Sequence, residues 1–132
     1  MINDLIGLSY ERRARPADGH GKSDCFMLVC EVRRRLGLHD YEKDFQWAYE
    51  QYDAGNLPMK RIMRWLLENG QKTNELIDGN VAIAKSMSGE LAVGVAYDKG
   101  IVIIARGGRS FWVAEPSLSA IKLFAMLPDI TQ

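Results

Sequence analysis

Few residues in this chain have side chains suited to covalent chemistry: two cysteines, Cys25 and Cys30, and two histidines, His20 and His39, in 132 residues. Asp24-Cys25 stands out by position. It lies where a polar loop holding Gly19 and Gly21 meets the apolar run Cys25-Phe-Met-Leu-Val-Cys30. A thiol at a helix start faces unpaired backbone N–H groups and the positive end of the helix dipole, and both stabilise a thiolate. The plainer reading is that Cys25 is one more small, buried, apolar residue. A nucleophilic thiol also needs a base within reach. His20, five residues upstream, could fold back over the thiol to give a Cys–His dyad, but a loop residue lacks the rigid support that catalytic geometry needs. His39 follows a break at Gly37, beyond a helix of about 11 residues, and so some ~15 Å from Cys25 on the surface. The same separations give the four residues no recognised zinc spacing, and no metal or cofactor is expected. Cys30, at i+5, falls on another face of the helix and belongs to the core.

Other side chains are candidates for binding rather than chemistry. Arg12, Arg13 and Arg15 precede the cysteine and could clamp a carboxylate; solvation or internal ion pairing is the simpler role. Arg33-Arg34-Arg35 is what the C-terminal end of a helix favours. Trp47, Tyr49, Tyr52 and Trp65 could form an aromatic face but more often pack helices together. Gly107-Gly108-Arg109 reads as a turn, because no helix start follows it to hold a phosphate. Phe111-Trp112, beside Glu115-Pro116, is either core or an exposed contact patch on an edge strand.

The elements that position these residues follow from periodicity. Residues 2–9 suggest a short helix or turn, and Ser9 to Asp24 a polar loop. A helix is predicted from Cys25, capped by Ser23 or Asp24, continued by Val32 and Leu36, emerging at Arg33–Arg35 and stopped by Gly37. A second helix is predicted over about Tyr41–Tyr52, from Phe45, Ala48, Tyr49 and Tyr52. A third runs from Pro58 to Asn69, with Met59, Ile62, Met63 and Leu66 as its stripe and Gly70 as its end. After Asp78-Gly79 the period shortens. Asn80–Lys85, Glu90–Tyr97, Ile101–Arg106 and Ser110–Ala114 read as strands separated by Ser88-Gly89 and Asp98-Lys99-Gly100 turns, with Ile121–Leu127 a fifth strand or a terminal helix. The expectation is one α+β domain over 1–132, helical to residue 78 and strand-rich from 79.

Composition narrows the function. Hydrophobic residues at 47% and charged residues at 26% are those of an ordinary globular domain. The longest apolar runs, such as Ile101–Ala105, fall far short of the roughly 18–20 residues that span a bilayer. A net charge of zero, from 17 basic and 17 acidic residues, argues against general binding to nucleic acid or anionic membranes. The first residues, Met1-Ile-Asn-Asp-Leu-Ile-Gly, lack the form of a signal peptide. Synthesis and folding in the cytosol, with both cysteines as thiols, are therefore expected.

Several stretches together resemble the NlpC superfamily of papain-like cysteine peptidases, in which a nucleophilic cysteine opens a helix packed on an antiparallel sheet or half-barrel. The closest resemblance is to the version carried by tailed phages and prophages. Asp4-Leu-Ile-Gly-Leu-Ser-Tyr10 is similar to that group's opening, and Gly21-Lys-Ser-Asp-Cys-Phe-Met-Leu-Val29 to its nucleophile helix. Gly79-Asn-Val-Ala-Ile83 matches its Gly-Asp-Val strand, Ala92-Val-Gly-Val-Ala96 its His-Val-Gly-Ile-Tyr strand, and Lys99-Gly100 with Ile101–Ala105 its following turn and strand. The resemblance covers about residues 2–106.

Carried over residue by residue, the resemblance puts the nucleophile at Cys25, the histidine base at Ala92 and the polar residue that orients it at Ile104. Neither aliphatic side chain relays a proton. Met27 also stands where the family helix keeps a small residue, and would crowd a substrate groove. What the resemblance implies is a catalytically inactive, virion-associated protein, a structural or assembly component of a phage or prophage tail, at the tail tip or hub. Its partners would be other tail proteins, with peptidoglycan as a further ligand and oligomerisation open. The rival expectation is an active peptidase or amidase cutting peptidoglycan peptides, with Cys25 as nucleophile and His20 or a residue from a partner chain as base. An acyl- or thiol-handling enzyme on the same fold is a third, weaker reading.

Overall fold

The computed structural model describes residues 2–50, 58–85, 91–114 and 121–127. It is a mixed helix-and-sheet, α+β structure. A short 3₁₀ turn, Asn3–Leu5, is followed by strand β1, Ser9–Tyr10. The loop after β1 is not featureless. It holds a second 3₁₀ turn at Pro16–Asp18 and closes when β2, Lys22–Ser23, pairs in parallel with β1.

Helix α1, Cys25–Arg35, starts where predicted and is capped by Asp24, whose carboxylate accepts from the Met27 N–H at 2.7 Å. It ends through Gly37, at φ 77°, with the Leu38 N–H bonding back to the Arg33 carbonyl. The helix does not emerge at Arg33. That side chain is 2% exposed, and its guanidinium donates to the carbonyls of His39 at 2.7 Å and Gly79 at 2.6 Å. Burial is sustained because those carbonyls replace the water a cation would otherwise require.

The helix predicted over Tyr41–Tyr52 starts later than expected. Helix α2 is Gln46–Glu50. Asp40 accepts from the Glu42 N–H and Tyr41 adopts a φ of 62°, so the chain turns rather than coils there. Its apolar spacing still works: Tyr41, Phe45, Ala48 and Tyr49 are buried, while Tyr52 lies outside the described residues. Helix α3, Met59–Asn69, buries Ile62 and Leu66 and ends at Gly70. The aromatics join these elements. Phe26 meets Phe45 at 4.9 Å between centroids, Phe45 meets Trp65 at 4.4 Å and Trp65 meets Tyr41 at 5.7 Å.

Among the described residues six strands make one antiparallel sheet: β3 (Gln71–Lys72), β4 (Val81–Lys85), β5 (Leu91–Tyr97), β6 (Gly100–Ile103), β7 (Phe111–Ala114) and β8 (Ile121–Met126), in the order β3-β8-β4-β5-β6-β7. The predicted meander is β4 to β7. The last segment is a strand, not a helix, and crosses back to lie between β3 and β4. The Ser88-Gly89 turn lies outside the described residues. Helix α1 packs on β5 and β6, and Phe26 and Val29 share a cavity of about 20 Å³ with Val81 and Val93.

A buried hydroxyl ties the chain's first residues to this sheet. Ser110 accepts from the Leu8 N–H at 2.8 Å and donates to the Leu5 carbonyl at 2.6 Å. Its backbone bonds to Gly7 and Leu8 as well.

Candidate functional site

Asp24 and Cys25 sit at the junction of the β2 end, α1 and β5. Asp24 is fully buried, at 0% exposure. Besides capping α1, its carboxylate accepts from the Arg13 N–H at 2.9 Å and the Tyr49 hydroxyl at 2.5 Å. The left-handed backbone at Arg13, φ 65°, forms the corner that carries this N–H. The next residue returns the contact, because the Ala14 carbonyl accepts from the Asp24 N–H. The Arg13 guanidinium lies 5.0 Å from the centroid of the Tyr49 ring. Burial pushes the Asp24 carboxyl above its ordinary value, against the pull of these donors. The Tyr49 hydroxyl is pushed upward by burial and by the neighbouring Asp24 charge.

Cys25 is 4% exposed. Burial, and then the adjacent Asp24 carboxylate, push its thiol from 9.0 up to about 12, although backbone N–H groups of Val93, Phe26 and Cys25 pull the other way. This favours the plainer reading of Cys25 as a small, buried residue over that of an acidic thiol at a helix start. The helix dipole acts on a sulfur removed from water and set against a carboxylate, and desolvation dominates. Cys30 is also buried as a free thiol, pushed well up by the same cause.

The structure brings β5 against Cys25, since the Val93 backbone reaches the sulfur. Ala92, one residue earlier, is buried and pairs with Ala84 of β4. Ile104 follows the end of β6 and is fully buried. Both sites are aliphatic packing. Met27 is buried on α1.

Neither histidine is built into this junction. His20 is exposed in the bend before β2. His39 places Nε2 2.8 Å from Asp44 Oδ2 and sets its ring edge-on to Tyr41. Among the described residues, no group of three or more His, Cys, Asp or Glu is placed to hold a metal ion. No described helix is long and apolar enough to cross a membrane.

The arginines before Cys25 divide. Arg13 braces Asp24 and Tyr49, Arg15 pairs with Glu42 at 3.0 Å, and Arg12 is exposed. Glu42 also receives Arg34, which binds Glu31 and Asp40, while Arg35 joins Glu31 to Asp4. The Arg35 hydrogen bonds hold the Asp4 carboxyl below its usual range. Internal pairing therefore accounts for Arg15, as for the arginines closing α1. Phe111 and Trp112 are exposed at 48% and 41%. They lie on β7, which is an edge of the sheet.

Sequence reasoning missed Tyr49 as a partner of Asp24 and Ser110 as the anchor of the first segment. For Asp24 the signal was present: an acidic N-cap before a wholly apolar helix start has to be buried with it. Nothing local marks Tyr49 or Ser110, whose partners lie 25 and 102 residues away. Comparison with family models, with curated proteins and with solved structures finds no match to this chain.

Proposed function

We propose that this chain is a catalytically silent relative of the NlpC-type papain-like fold, serving as a structural or assembly component of a phage or prophage tail, at the tail tip or hub. The observation that carries the loss of catalysis is the state of Cys25. Its sulfur is enclosed, its thiol is pushed up to about 12, and the strand against it carries the methyl group of Ala92 just before the Val93 amide that reaches it. A thiol so held is protonated at neutral pH, and it lacks a histidine base, since His20 is exposed in its loop and His39 is engaged with Asp44. The assembly role draws support from the apolar residues Phe111 and Trp112, exposed on an edge strand. The tail assignment rests on the sequence resemblance.

Two measurements test the two halves separately. Purified peptidoglycan incubated with the chain should keep its turbidity and release no new amino groups, with Cys25→Ala indistinguishable from the parent. Release that disappears in Cys25→Ala would establish a peptidase. Tail particles purified from an induced host should contain the chain in stoichiometric amounts, and its absence from them would reject the assembly role.

A further inference from the structure

The two edges of the sheet are built differently. At one, β3 is two exposed polar residues, Gln71 and Lys72. Shortness and a lysine are the usual protections against strand addition. At the other, β7 is Phe111-Trp112-Val113-Ala114 and carries no charge.

The outward-facing backbone groups of β7 follow from the neighbouring hairpin. Asp98 and Lys99 both have positive φ, 49° and 62°, and join β5 to β6 in a two-residue turn of type I′. Its closing pair, Tyr97 and Gly100, exchanges both hydrogen bonds, so the Gly100 backbone faces β5. Alternation then turns Ile101 and Ile103 toward β7, where their partners are Val113 and Phe111. Trp112 and Ala114 therefore direct N–H and C=O away from the sheet. Ser110 agrees independently, since its outward N–H and C=O are taken by Leu8 and Gly7. That first segment covers the front of the edge and stops there. Among the described residues, none pairs with the outer side of Trp112 or Ala114. The indole does not fold over the gap, because its Nε1 is held by the Tyr97 carbonyl at 2.8 Å.

We infer that β7 pairs antiparallel with β7 of a second copy of this chain, about a two-fold axis at Val113. In this register Trp112 of each copy exchanges both backbone bonds with Ala114 of the other. Gly7 and Leu8 block any register that pairs Ser110. Directly opposed residues share a face. The large Trp112 thus lies beside the small Ala114, and Val113 meets Val113 with a Phe111 diagonal to each. Charge is compatible with self-pairing, because β7 has none and the chain sums to zero. An isologous contact closes at two copies. This goes beyond the tail-assembly reading and is tested without it.

The contact is smaller than a standard interface, so a dissociation constant of about 10⁻⁴ M is expected. That leaves about a fifth of the chains free at about 1 mM and about three quarters at about 20 µM. Amide exchange of the wild-type chain by NMR should therefore slow about fourfold at Trp112 and Ala114 over that range, with Phe111 and Val113 unchanged. Exchange independent of concentration overturns the inference, as does a Trp112 amide already protected in the dilute chain. Val113→Lys and Val113→Glu, each checked for a native circular dichroism spectrum, should sediment as monomers alone and as a dimer when mixed. A mixture of folded variants that stays monomeric refutes the axis at Val113. If either fails to fold, the wild-type exchange decides.

Discussion

Reacting the native chain with a disulfide probe such as dithiodipyridine tests how Cys25 is held. A thiol displaced from 9.0 to about 12 has its thiolate population at neutral pH cut about a thousandfold. A more basic thiolate is intrinsically more nucleophilic, and with a Brønsted coefficient of about 0.45 this restores roughly 20-fold. Ionisation alone therefore predicts exchange about 50-fold slower than at an ordinary free thiol. Enclosure of the sulfur slows it further, in proportion to the small population in which the helix start is open. The rate should climb about tenfold per pH unit through neutrality without levelling, and unfolding in guanidinium should abolish the difference. Peptide mapping by mass assigns the modified residue, because Cys30 is buried too. Levelling below pH 8, or labelling of Cys25 as fast as a free thiol, would refute both the buried state and the catalytic silence built on it.

Substitutions at three further positions probe the framework. Asp24→Ala removes a helix cap and the acceptor of the Arg13 N–H and Tyr49 O–H, and should cost about 3–5 kcal/mol in urea unfolding. Because the Asp24 carboxyl is raised in the folded state, its contribution to stability is full below 3.8 and is lost as pH rises through the folded value; Asp24→Asn should remove that decline, measured as unfolding free energy against pH. Ser110→Ala leaves the Leu8 N–H and Leu5 carbonyl without their partner, costing about 2–4 kcal/mol and speeding amide exchange first at Leu8. Gly100→Ala drives a methyl group into the Trp112 ring and the Val113 carbonyl, so it should destabilise the chain by about 1–3 kcal/mol and shift tryptophan fluorescence.

Much of the fold is legible in short-range pattern. Gly37 at φ 77° and the Asp98-Lys99 turn punctuate the chain as their conformations require, α3 ends at Gly70, and the Val- and Ile-rich runs become β4, β5 and β6. Failures occur where a tertiary contact overrides the local rule. Tyr41 begins an apolar repeat that would suit a helix, yet Asp40 turns the backbone and the aromatics pack from a series of turns. Arg33 belongs to a basic helix end that would suit water, yet it is held by carbonyls of His39 and Gly79. The two-residue strands β1, β2 and β3 have no hydrophobic alternation to reveal them.

Dipole and burial act in opposite senses on the Cys25 thiol. A helix start favours an anion by about 0.3–1 kcal/mol, and up to about 2 kcal/mol where partly buried. Displacement of the thiol from 9.0 to about 12 corresponds to about 4 kcal/mol against the thiolate, so burial prevails over the dipole. The Asp24 carboxylate adds to it, and the same residue supplies the cap that makes α1 start there. A cap of this kind can serve a reactive thiol only if an imidazolium balances the negative charge. With aliphatic side chains at Ala92 on β5 and at Ile104 just past β6, the cap instead fixes Asp24 as the acceptor that binds the loop corner at Arg13 and the ring of α2 at Tyr49 to the core. The Asp-Cys pair thus ties the loop, α1 and α2 to one another at the start of the buried helix.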